Sequence, residues 1–122
     1  MTQEVITRIF RTMVQSQICH WLTDNHQVHT ILGELYEELQ ELVDTLAERH
    51  LSYTDMLSGE ATIDIKYSYS DNDIIDCLVG CRETITEAIS DEENVSVEDA
   101  LISILTLLDT NIYLLGMAIK KN

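Results

Sequence analysis

The sequence predicts an all-α fold, an antiparallel four-helix bundle, and three observations carry that expectation. The 122 residues include no proline and only four glycines, so few positions force a helix to break. Apolar residues recur at helical spacing in four separate stretches. Hydrophobic residues make up 45% of the chain, enough to fill one core, so its high charge does not imply disorder. The length suits a single four-helix domain over residues 1–122 and is too short for two domains.

The first helix is expected over residues 3–22, with Ile6, Ile9, Phe10, Met13 and Trp21 on one stripe and Gln17 as its polar member. The second is expected over 26–57. Its stripe is Val28, Ile31, Leu32, Leu35, Leu39, Leu42, Val43 and Leu46, and Asp24 or Asn25 caps its start. The third, over 71–90, opens on the capping box Ser70-x-x-Asp73 and buries Ile74, Ile75, Leu78, Ile85, Ile89 and the stem of Arg82. The fourth, over 97–120, follows a second such box, Ser96-x-x-Asp99. It carries Val97, Leu101, Ile104, Leu105, Leu108, Ile112, Leu115 and Ile119. Ile102, Leu107 and Leu114 fall outside that stripe, so this helix is expected to be central or to have a second buried contact.

Short connections make helices 1 and 2, and helices 3 and 4, antiparallel neighbours. The link over about 58–70 is longer. In it Ile63, Ile65, Tyr67 and Tyr69 alternate with Asp64, Lys66 and Ser68, which suits an extended strand over 62–69. A lone strand must lie across the bundle or pair with a symmetry mate. A long crossover of this kind joins two hairpins that run parallel.

Charge narrows the partners. Asp+Glu number 22 against seven Lys+Arg, a net charge of −15 that repels nucleic acid and anionic lipid and attracts cations. Arg8 and Arg11 stand isolated, and Lys120–Lys121 is only a pair. No uninterrupted apolar run approaches the roughly 18 residues of a membrane span. The opening residues lack the basic-then-apolar layout of a signal peptide. Cys19, Cys77 and Cys81 are an odd number without framework spacing, which points to a reducing cytoplasm. Cys77 and Cys81, one helical turn apart, read as buried thiols in preference to zinc ligands.

His20, His29, Asp44 and Glu48 are the candidate site. Asp44 and Glu48 are four apart and share a helix face, and Glu37 and Gly33 fall on the same side. That side lies roughly 140–180° from the leucine stripe of helix 2, so only a neighbouring subunit is expected to cover it. Taken singly, each residue has a plainer reading: His20 as a core histidine bonded to a carbonyl, Asp44 and Glu48 as solvated carboxylates, His26 and His50 as surface residues. Gly33 and Gly116 sit inside helices, where Gly costs about 1 kcal/mol against Ala, and a close approach by another helix or subunit would explain them.

The segment His20-Trp21-Leu-Thr-Asp-Asn-His-Gln-Val-His29, then Leu35-Tyr36-Glu37-Glu38-Leu39 and Asp44-Thr-Leu-Ala-Glu48-Arg49, resembles the miniferritins, the Dps-like branch of the ferritin-like superfamily. The resemblance covers about residues 19–50 and implies a ferritin-like bundle that is at least a dimer through helices 1 and 2. It implies an inter-subunit metal site, with His20 and His29 from one subunit, Asp44 and Glu48 from its partner, and Glu37 on the same face. The metal implied is iron, with Zn or Mn also suited to two imidazoles and two carboxylates. The departures matter. The family's extra carboxylate four residues after the second His is Gly33 here, the gap from His20 to His29 is about three residues shorter, and the basic DNA-binding tails are missing. They favour metal binding over rapid ferroxidase turnover. Small ferritin-like proteins of this size are also similar to open reading frames of tailed phages, which implies the cytoplasm of a bacterial or phage-infected cell. The alternative expectation is a ferritin-like bundle without metal chemistry that binds a host protein or sequesters a small molecule. A carboxylate-bridged oxygenase needs a Glu-x-x-His in each half, and the sequence contains none.

Overall fold

A computed structural model describes residues 3–54 and 57–120 as four helices: α1 (Gln3–Leu22), α2 (His26–Leu51), α3 (Asp71–Asp91) and α4 (Val95–Lys120). They pack in a square in which α1 and α4 each touch α2 and α3. Ile9, Leu32, Leu35, Leu39, Leu46, Ile74, Leu78, Ile85, Leu101, Ile104, Leu108 and Leu115 are fully buried at its centre. Each such side chain contributes about 1.5–3 kcal/mol by leaving water.

The stripes expected for α2, α3 and α4 form the core, and Cys77 and Cys81 join it as buried thiols. The stripe expected for α1 is corrected in part: Ile9 is fully buried and Ile6 and Met13 pack against the core, while Phe10 and Trp21 turn outward. The buried face of α1 is Val5, Ile9, Thr12, Gln15, Ser16, Ile18 and Cys19, roughly 120° round the helix from the expected one. Phe10 is 46% exposed and Trp21 61% exposed. One cause is the link after α2, which covers the Gln15 side of α1 with main chain and so requires a polar side chain beneath it.

That link holds no strand among the described residues, which corrects the strand expected over 62–69. It is an irregular segment hydrogen-bonded along α1. The Ser58 amide donates to Gln3 Oε1 at 2.9 Å, Arg11 Nε donates to the Asp64 carbonyl at 2.8 Å, and Thr23 Oγ1 donates to Asp71 at 2.8 Å where α3 begins. Gln15 acts as the missing strand partner. Its amide nitrogen donates to the Lys66 carbonyl at 2.8 Å and its oxygen accepts from the Lys66 N–H at 2.9 Å. The turn into the link uses Gly59 at φ +78°, a left-handed conformation that side chains other than glycine rarely adopt.

Helix ends follow local chemistry. Asn25 caps α2 through Val28 N–H, and Ser70 and Asp73 form the expected capping box of α3. The second box is corrected: α4 starts two residues earlier than expected, and the cap is Asn94, whose Oδ1 accepts from Val97 N–H at 3.1 Å. α2 ends at Leu51 and not near 57, with the Ser52 amide donating back to the Glu48 and His50 carbonyls. Of the residues outside the α4 stripe Leu107 packs against the core, while Ile102 and Leu114, with Tyr113 and Met117, are exposed among the described residues. By length and composition alone α4 is apolar enough to cross a membrane, although Leu101, Ile104, Leu108 and Leu115 fill the core.

His50 corrects another expectation. It is 2% exposed, with its ring edge-on to Tyr53 and neither ring nitrogen hydrogen-bonded among the described residues. Burial holds the imidazole below its ordinary value of 6.5, with the charge of Glu92 pulling the other way. The position was legible, because His50 continues the buried series Leu39, Val43, Leu46 by one more turn.

Candidate functional site

The tight turn between α1 and α2 brings His20 and His29 face to face, with ring centroids 3.9 Å apart and planes 17° from parallel. Each ring reaches the other residue's main chain: His20 Nδ1 lies 2.6 Å from the His29 carbonyl, and His29 Nδ1 lies 2.7 Å from the His20 carbonyl. A carbonyl can only accept, so each Nδ1 carries a proton, and in the neutral rings each Nε2 keeps its lone pair. The second bond also satisfies a carbonyl in the last turn of α1, where no further helical N–H is available. The pair therefore staples the α1–α2 hairpin.

Gly33 belongs to this arrangement. A Cβ built there would meet His20 Cε1 at 2.8 Å and Nδ1 at 3.1 Å, so the missing side chain makes room for the imidazole. This corrects the expectation that only a neighbouring subunit covers that part of α2, since the chain's own His20 does so. No comparable approach explains Gly116, which has nothing within 4 Å of a built Cβ. Tyr36 completes the surroundings, its ring 5.6 Å from that of His20, and His26 follows at 6.2 Å from His29.

Asp44, Glu48 and Glu37 remain exposed on α2. Asp44 lies 15 residues beyond His29, about 22 Å along the helix, so one chain cannot gather the five candidate ligands. Among the described residues no group of three His, Cys, Asp or Glu is placed to hold a metal ion. Among the described residues of one chain, the candidate donors His20, His29, Glu37, Asp44 and Glu48 do not come together as a ligand set.

Sequence reasoning missed a groove. Between α1 and α2 lies an open cavity of about 1010 Å³. Ile6, Phe10, Met13 and Val14 of α1 form one wall, and Glu37, Glu41 and Asp44 of α2 supply acid from the other. The signal was the row Ile6, Phe10, Met13, Gln17 and Trp21, part of the stripe expected to be core, of which Phe10 and Trp21 are exposed and Ile6, Met13 and Gln17 only half-buried. The architecture is an all-α four-helix bundle, a shape broadly compatible with ferritin-like folds. No protein family, curated protein or solved structure matches the chain.

Proposed function

We propose that the protein is a binding module, a ferritin-like bundle without metal chemistry of its own, whose α1–α2 groove receives a basic amphipathic helix of a partner protein. The observation that carries this is the pairing of an apolar α1 wall around Phe10 with an acidic α2 wall in one groove. A helix laid in such a groove buries its apolar face against Phe10 and Met13 while its Lys and Arg meet Glu37, Glu41 and Asp44. The link hydrogen-bonded along α1 supports the ferritin-like topology, because it carries the chain from the Gln3 end of α1 to the Thr23 end before α3 begins. The histidine pair serves as the staple that holds the walls in register.

The test is titration calorimetry with a synthetic Leu/Lys amphipathic helix of about 18 residues and a Leu/Glu counterpart. The Leu/Lys peptide should bind. Phe10→Ser, and separately Glu41→Lys with Asp44→Lys, should each weaken it about tenfold or more. Asp76→Lys, on the exposed side of α3, should leave it unchanged. Equal affinity in wild type and Phe10→Ser would sink the proposal. A dimer in sedimentation that Phe10→Asp dissociates would assign the groove to a second copy instead.

A second reading rests on the two Nε2 atoms, which have no hydrogen-bond partner among the described residues while both Nδ1 atoms are held by carbonyls. Such anchoring is how a protein orients imidazole ligands. In a two-fold dimer through α1 and α2, His20 and His29 of one copy could share Fe, Zn or Mn with Asp44, Glu48 or Glu37 of the other. Near-stoichiometric metal on a dimer peak, lost in both His29→Ala and Asp44→Ala, would favour this reading over the first.

A further inference from the structure

On the opposite side of α1, Arg8 and Arg11, isolated in the sequence, line one cavity of about 670 Å³ closed by the link and by Thr84 of α3. The chain has 22 acidic residues to seven basic ones, so every guanidinium has carboxylates to choose from. Arg82 pairs with Asp109 at 3.2 Å. Arg49 donates to the Ser96 carbonyl, and Arg11 donates to the Asp64 carbonyl and, at 3.8 Å, to Cys77 Sγ. Arg8 is the exception. Its Nε is buried with no hydrogen-bond partner among the described residues, and the side chain forms no ion pair with them. The guanidinium is nevertheless built into place: a Cβ on Gly80 would lie 2.5 Å from Arg8 Nη2, so α3 carries a glycine at mid-helix where the arginine tip passes.

We propose that this cavity binds a small organic oxyanion through Arg8 and Arg11. The planar guanidinium fork matches carboxylate and phosphate oxygens, and Arg8 has no ion pair with the described residues to compete with a ligand for its Nη donors. The remaining lining refines the class. Thr7 and Thr84 donate their hydroxyl protons to the Gln3 and Gly80 carbonyls, so their oxygens can only accept from a ligand. Glu4 and Glu60 also line the cavity, and their carboxylates are further acceptors. The ligand therefore carries hydroxyl or amino donors beside its oxyanion. The volume lies in the usual range for small-molecule sites. The proposal is independent of the α1–α2 groove.

The experiment is calorimetric titration of the full chain at about 0.15 M salt, where screening shortens the reach of the net charge to about 8 Å. The probes are AMP and citrate, with adenosine as the uncharged control. At least one of the two anions should bind at 1:1, and adenosine should not. AMP alone would identify a phosphate ester, and citrate alone a carboxylate. Arg8→Ala should weaken binding about tenfold or more. Gly80→Ala keeps every charge and displaces only the Arg8 tip, so it should weaken binding too, and it carries the test where Arg8→Ala fails to fold. The proposal is overturned if neither anion binds, if adenosine binds as well as AMP, or if both variants bind like wild type.

Discussion

Two single residues separate packing from propensity. Replacing Gly33 by Ala should gain about 1 kcal/mol of helix propensity. It should also drive the His20 ring from its place, losing its hydrogen bond to the His29 carbonyl, worth about 0.5–1.5 kcal/mol, together with the ring stack, worth a similar amount. A net loss of up to about 2 kcal/mol is expected in urea unfolding. Gly116→Ala meets open space and should stabilise by up to about 1 kcal/mol. Opposite signs for the two variants are the diagnostic result, and equal signs would remove the role given to Gly33. His50 supplies a pH dependence. Its native imidazole resists protonation because it is buried, so below about pH 6.5 the unfolded chain binds a proton that the folded chain refuses. The contribution is complete above 6.5 and is lost as pH falls from there toward the lowered native value. Calorimetric melting between about pH 7.5 and 5.5 should show a shallower loss for His50→Phe than for wild type. Superimposable profiles would contradict the assignment.

At the scale of elements, the link stands on Gln15. Gln15→Leu removes both hydrogen bonds to Lys66 and should cost about 1–3 kcal/mol. It should also make the peptide bond after Lys66 an early tryptic site, identifiable by mass spectrometry of the fragments. Unchanged proteolysis would mean that the other anchors, Gln3, Arg11 and Thr23, suffice. The same element shows what the sequence could and could not reveal. The stripes of α2, α3 and α4 were legible because each is covered by other helices, so one apolar side suffices. α1 was misread because it is covered partly by main chain, and the side beneath main chain is polar. The Ser70 box was legible because both partners lie within one turn. Asn94 and Ser96 are both good caps, and local sequence could not choose between them.

For the whole molecule, the joint spacing of His20 and His29 did announce a real contact, although what the two rings share is the main chain and not a third ligand from the same subunit. Neither cavity was legible, because each depends on segments far apart in sequence. The α1–α2 groove joins residue 6 to residue 47, and the arginine cavity joins Gln3 to Thr84. The core thiols follow the same logic of position. Burial pushes Cys19 and Cys81 each up to about 11, so they stay protonated and unreactive while the bundle is closed.

α1 is enclosed by α2, by α3 and by the link, and only the side bearing Phe10 and Trp21 is left bare. α2, α3 and the link lean on this helix, and the two cavities open on its two flanks. A molecule that grips either flank grips the helix on which the rest of the chain is assembled, so occupancy and folding are thermodynamically linked. Whatever binds will register as heat resistance of the entire protein, and a library screened for raised melting temperature would find ligands of both cavities without knowing either in advance.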